Sequence, residues 1–177
     1  MGTEDSAEKA RQAELNSYRL LDTLEEQAYD DLTRMAASVC GVPIALISLI
    51  DENRQWFKSR IGLQASESPR EFSFCAHAIR RPGDVTVVAD ATQDERFATN
   101  PLVTGEPNIR FYAGAPLVSA GGQALGTLCV IDTKPRELDA KQLETLQFLA
   151  KQVMQKLEER RRALAISPTN PSGPRSG

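Results

Sequence analysis

Histidine is almost missing from this 177-residue chain: His77 stands alone. A zinc site would therefore have to be built from cysteine and carboxylate, and no spacing of either supports one. Cysteine is scarce too. Cys40, Cys75 and Cys129 lie far apart and form no Cys-x-x-Cys pair. An odd number of thiols among apolar neighbours reads as reduced cysteine in a cytoplasmic protein. No apolar run approaches the ~20 residues needed to cross a bilayer. The opening Met1-Gly2-Thr3-Glu4-Asp5 has neither the basic nor the apolar stretch of a secretory leader, so no membrane role is expected. Excess positive charge is also lacking. Lys plus Arg is 21 against 24 Asp plus Glu, a net charge of −3, which argues against the clustered basic face of a nucleic-acid binder. The Gly121-Gly122 pair belongs to no phosphate-cradling G-x-x-x-x-G-K-[ST] loop, and neither G-x-S-x-G nor H-E-x-x-H occurs.

What is present is ordinary for one soluble globular domain: 41% hydrophobic and 25% charged residues. Residues 4–21 read as a polar helix. A second helix over 24–40 is signalled by Ala28, Leu32, Met35, Ala36 and Val39 at three- and four-residue spacing. Thr23 and Glu26 supply a capping-box signature at its start, and Gly41 a stop. Ile44–Ile50 is apolar on both alternating faces, the mark of a central strand covered on both sides. Arg54–Ser59 reads as its antiparallel partner, 62–71 as a loop, 72–80 as a short helix, 85–89 as a short strand and 90–107 as irregular. Phe111–Val118 and Ala124–Ile131 form a hairpin around glycines. A long helix over 139–164 follows, then a Pro/Ser/Gly-rich tail from Ser167 expected to be disordered. Hairpins joined by short turns, flanked by helices, imply an α+β fold on an antiparallel sheet.

Particular segments resemble a known family. Leu21-Asp22-Thr23, the run Pro43–Asp51, Arg54–Ser59, Phe74-Cys75-Ala76-His77-Ala78-Ile79, Asp90-Ala91, Asn100–Val103, Arg110–Leu117 and Gly126–Asp132 look like a GAF domain, of the kind found in bacterial histidine kinases and diguanylate cyclases. The resemblance divides the chain into an N-terminal helical extension (1–14), a GAF domain (15–158), and a helix end with a disordered tail (159–177). It implies an antiparallel sheet of five or six strands. The terminal helices would lie on one face, and loops and short helices over the other, where a small molecule binds. It also implies a homodimer signalling through its terminal helices, with a kinase or cyclase as a possible downstream partner.

Phe74, Cys75, His77, Asp90, Arg96, Phe97, Asn100, Arg110 and Tyr112 are the candidate ligand-binding residues. Aromatic walls with a few polar groups, including arginine's two-pronged donor, are what such a pocket needs; the ligand itself is not specified. The same residues read equally well as structure, with Asp90 capping a turn and Arg96 and Arg110 in ion pairs. Bilin attachment in the family uses a cysteine directly followed by histidine, and here Ala76 separates Cys75 from His77. All three thiols are expected to be chemically silent, since none joins cationic neighbours, a helix N-terminus and exposure. On the last helix Leu143, Leu146, Ala150, Val153, Leu157 and Leu164 form a heptad-like seam. Leu146, Val153, Leu157 and Leu164 are the candidate dimer interface; the alternative is that the chain's own first helix covers the seam. The expected function is a non-enzymatic sensory module. The alternatives are a ligand-free dimerisation module and a thiol enzyme of the free methionine sulfoxide reductase type.

Overall fold

The computed structural model describes residues 2–166. The elements are α1 (Gly2–Asn16), α2 (Gln27–Cys40), β1 (Ile44–Ile50), β2 (Arg54–Ile61), β3 (Glu67–Pro69), α3 (Phe74–Ala78), β4 (Thr86–Val88), α4 (Pro101–Thr104), β5 (Phe111–Val118), β6 (Ala124–Asp132) and α5 (Ala140–Ile166), with one-turn 3-10 helices at Arg70–Phe72 and Ala91–Gln93. The tail after 166, expected to be disordered, lies outside the described residues.

The strands form one antiparallel sheet in the order β3-β2-β1-β6-β5-β4. This is the expected α+β architecture. Alternation along the strands feeds two cores. Ala45, Ile47 and Leu49 of β1, with Phe111, Ala113, Ala115 and Leu117 of β5, pack under α2 and α5. Ile44, Leu46 and Ile50, with Tyr112, Cys129 and Ile131, face the opposite layer, made by the middle segment. Gly126 lies opposite Leu49, and a Cβ there would overlap the Ser48 carbonyl, so the central β1–β6 pairing requires glycine at this point.

Several local expectations change. Helix α1 ends at Asn16, and α2 begins only at Gln27. The capping box at Thr23 does not form, and Glu26 at the N-cap makes no side-chain cap bond. Instead Lys58 takes both groups: its ammonium donates to Thr23 Oγ1 (2.9 Å), the Leu24 carbonyl (2.5 Å) and Glu26 (2.6 Å). A bulge permits this. The register passes from Ile47↔Ser59 to Ser48↔Phe57, so Lys58 is the extra residue. Ser59 donates to Asp30 of α2, so two consecutive residues reach the same side. A capping box does form at α5, where Gln142 N–H donates to Asp139 (2.8 Å) and Asp139 N–H to the Gln142 side chain (2.9 Å). Met35 and Val39 turn outward, while Tyr29, Leu32, Thr33, Ala36 and Cys40 form the buried face of α2.

The dimer-interface expectation is corrected for three of its four residues. Leu146, Val153 and Leu157 are buried within their own chain, against the sheet and α2, and have no surface left for a partner; Leu164 is half-buried. The end of α5 does not overhang freely either. Tyr18 donates to Glu158 (2.6 Å), Arg160 donates to the Tyr18 and Arg19 carbonyls (2.8 Å each), and Arg161 lies over the Tyr18 ring and pairs with Glu14. The chain's own N-terminal segment thus covers this end of the seam. At its other side α1 is fastened to the sheet by buried Arg11, which donates to the carbonyls of Ile50 (2.7 Å) and Ala124 (3.2 Å).

Candidate functional site

The layer over β1, β6 and β5 is built from the 3-10 turn at Arg70–Phe72, α3, the turn at Ala91–Gln93 and α4. Four of the candidate ligand residues form its packing core. Phe74 and Phe97 stack with centroids 4.0 Å apart and planes within 5°. Tyr112 tilts against Phe74 at 5.3 Å, and His77 meets the Phe97 ring edge-on at 4.9 Å. Phe74, Cys75, Phe97 and Tyr112 are buried. The aromatic cluster read as pocket lining fills its space with itself.

The polar candidates are committed to neighbouring groups, mostly backbone. Asp90 caps the turn after it by accepting from Thr92 N–H (3.0 Å). Asn100 caps α4 through Leu102 N–H (2.8 Å) and donates to the Phe72 carbonyl (3.1 Å). Arg96 pairs with Asp94 at 2.7 Å. Arg110 donates to the carbonyls of Val103 (2.8 Å) and Ile109 (3.0 Å) and so clamps the segment after α4. Burial, then the charges of Arg80 and Arg96, lower the pKa of half-buried His77 below its ordinary 6.5 and favour the neutral ring.

A cavity of about 160 Å³ opens beside this cluster. Its walls are Ile44 and Leu46 of β1, Gln55 and Phe57 of β2, Leu63, Leu102, Pro107, Ile109 and Ile131, with Ser68 at one side. None of the nine candidate ligand residues lines it, which corrects the placement of the pocket. No sequence signal singled out the aliphatic walls, because they are the same residues that make the sheet core.

Between the cavity and the aromatic stack runs a buried polar chain. Gln55 accepts from Ser48 (3.0 Å) and Ser73 (2.8 Å) and donates to Ser68 (2.7 Å). Thr127, paired with Ser48 across β1–β6, donates to Cys75 Sγ at 3.1 Å, and Tyr112 O–H donates to the same sulfur at 3.2 Å. Cys129 Sγ lies 3.9 Å from Cys75 Sγ. A Cβ at Gly114 would overlap the Tyr112 hydroxyl, so glycine there gives the phenol its route to the sulfur. Burial opposes ionisation of Cys75, but hydrogen bonds with Cys129, Thr127 and Tyr112 outweigh it and lower the thiol below its ordinary value. Burial and the adjacent Cys75 push Cys129 well up. Burial likewise raises Cys40, in the other core. Cys75 thus differs from the other two thiols: it is buried as they are, in keeping with the expected silence, but two hydroxyls donate to its sulfur. The signal available was one polar residue inside each apolar strand, Ser48 and Thr127.

The GAF domain pattern matches residues 25–157. The chain belongs to the GAF domain family. As a GAF domain it is of sensory and regulatory type. A cyclic di-GMP phosphodiesterase of Pseudomonas aeruginosa is 47% identical over 151 residues, covering 85% of this chain and 26% of that protein. The GAF domain of an Acinetobacter phosphoenolpyruvate-protein phosphotransferase superposes with a TM-score of 0.65 at 18% identity, over 96% of this chain and 99% of that one. A free methionine-R-sulfoxide reductase from Neisseria meningitidis, solved with its substrate, gives 0.60 at 21% identity, over 76% and 80%. The last two show the fold alone. The Pseudomonas relative corrects the expectation of a non-enzymatic protein, since the protein matched over most of this GAF domain is named as an enzyme. Among the described residues no helix is long and apolar enough to cross a membrane.

Proposed function

We propose that this GAF domain is the regulatory module of a cytoplasmic cyclic di-GMP phosphodiesterase system, and that it senses a small, largely apolar molecule. The observation that carries the phosphodiesterase context is the 47% identity over 85% of the chain. The cavity beside β1 supports the sensing role. At about 160 Å³ it falls below the roughly 300–1,000 Å³ of drug-sized sites, which suits a compact metabolite rather than a cyclic dinucleotide. Its aliphatic walls would take the apolar part of such a molecule, and Gln55 and Ser68 at one side one polar group. Ile44 and Leu46 belong to β1, whose last carbonyl, at Ile50, is held by Arg11 of α1. Occupancy would thus bear on the strand to which α1 is fastened. Two copies would pair through the exposed apolar surface of α2 and α5, where Met35, Val39 and Phe148 face outward.

The test is a chimera in which this chain replaces the matched segment of the Pseudomonas phosphodiesterase. Compounds that raise the Tm of the isolated chain are added during cyclic di-GMP turnover. Turnover that responds to the compound, and loses the response with Leu102→Trp filling the cavity, supports the reading. Turnover indifferent to every stabilising compound refutes it.

A further inference from the structure

The two buried sulfurs of the middle layer suggest chemistry that the regulatory reading does not use. We propose that Cys75 and Cys129 form a peroxide-reactive dithiol site, closing to an intramolecular disulfide and thereby shifting α3. Three observations carry it. The sulfurs already lie 3.9 Å apart on different elements, at the second residue of α3 and the sixth residue of β6. Forming the bond requires them to approach by about 1.9 Å, to the ~2.05 Å of a disulfide. Cys75 receives hydrogen bonds from Thr127 and Tyr112, which stabilise developing negative charge on that sulfur rather than on Cys129. The third thiol, Cys40, sits in the opposite core and takes no part.

The asymmetry assigns the roles. Cys75, as thiolate, attacks hydrogen peroxide: an S–O bond forms, the O–O bond breaks, and the leaving hydroxide departs as water after taking a proton. Cys75 is then a sulfenic acid. The Cys129 sulfur attacks the Cys75 sulfur, the S–S bond forms and the S–O bond breaks, and the hydroxide leaves as a second water with the Cys129 proton. Two thiols and one peroxide give one disulfide and two waters, so the peroxide is the only oxidant needed.

Both sulfurs are buried, so reaction requires α3 to lift. That helix is five residues long, its outer residues Ala76 and His77 are half-exposed, and Ser73 caps it through Ala76 N–H at 3.1 Å. Local opening of so small an element is cheap beside global unfolding. Its displacement would not stay local. Ser73 also holds Gln55, and Arg70, three residues earlier, pairs with Glu8 of α1 at 2.8 Å. The oxidation state of the pair would thereby reach the N-terminal helix by a route separate from the cavity.

The test uses the purified 177-residue chain. After excess hydrogen peroxide, the protein is denatured and alkylated with N-ethylmaleimide. The expected result is loss of two hydrogens from the intact mass, a fall from three alkylated thiols to one, a tryptic peptide joining Cys75 to Cys129, and reversal by dithiothreitol. In Cys129→Ser the sulfenic acid at Cys75 should persist and be captured by dimedone. Thr127→Val removes one donor to Cys75 and should slow thiol loss roughly tenfold. Three thiols retained after peroxide, a linkage involving Cys40, or a rate unchanged in Thr127→Val would each overturn the assignment. The wild-type peptide map decides the matter even if a variant fails to fold.

Discussion

Lys58 is a lysine whose side chain has no exposed surface, set at a β-bulge and aimed at the connection between α1 and α2. Replacing it with methionine keeps the stem and removes the ammonium. Three charge-assisted hydrogen bonds are lost, each worth about 1.5–3 kcal/mol where no water competes. Glu26 is nearly half exposed, so its share falls below about 1 kcal/mol. Thr23 keeps its bond to the Leu20 carbonyl, so its share is small as well. The Leu24 carbonyl is the large loss. Against these stands the relief of a desolvated cation, which offsets only part of the loss, since removing one partner of a buried charge contact is net destabilising. The balance is a destabilisation of about 2–3 kcal/mol. At a urea slope near ~2 kcal/mol per molar, the unfolding midpoint should fall by about 1–1.5 M. Hydrogen exchange should locate the loss, with amides from Leu20 to Gln27 exchanging faster while those of β1 and β6 change only with global stability. A midpoint that is unchanged or raised would refute the reasoning. It would mean that the buried amine contributes no more than a methyl group and that the 20–26 connection is held by something else.

Phe97→Ala removes a fully buried ring from the Phe74 stack and should cost about 3–5 kcal/mol, read as a lower Tm. Burial works against ionisation of Glu8, but bonds from Arg11, Arg70 and Gln12 outweigh it and hold the carboxyl well below its ordinary 4.5. A depressed folded-state value gives stability that is present above pH 4.5 and lost as pH falls below it. Glu8→Gln should therefore flatten the acid limb of a stability-against-pH curve, and an unaltered limb would count against the α1 anchor. Phe148→Glu should abolish self-association in sedimentation equilibrium while leaving stability within about 0.5 kcal/mol, because the ring is largely exposed. A dimer that survives the substitution would place the contact elsewhere.

The long strands were legible because burial on both faces leaves an unbroken apolar run, as in Ile44–Ile50 and Ala124–Ile131. β3 is not, since Glu67-Ser68-Pro69 at the sheet edge carries no periodic apolar signal and looks like loop. The Thr23–Glu26 signature misled because a tertiary partner, Lys58, competes for both side chains. The seam on α5 was a true apolar stripe, but its period is the same whether it faces a second copy or its own sheet. The candidate site was legible only as a region. Its aromatics and polar groups cluster as expected, yet each is satisfied by a neighbour, and the open space lies beside aliphatic residues. The thiol pair depends on a long-range pairing, the two cysteines standing 54 positions apart, that spacing along the chain does not express.

The strands that bound the sheet are each three residues long, β3 pairing only with Arg54, Gln55 and Trp56, and β4 only with Tyr112, Ala113 and Gly114. One of them ends in Pro69, and the stretch of β5 beyond Gly114 contains Pro116, which offers no N–H to an incoming chain. Such blunt margins make poor templates for a foreign strand. The two strongly apolar β-segments of this protein, β1 and β6, are walled off between them, and β1 would otherwise be the obvious seed for amyloid-like stacking. The domain can therefore be held at high concentration without polymerising through its sheet, and aggregation on heating should track unfolding rather than precede it.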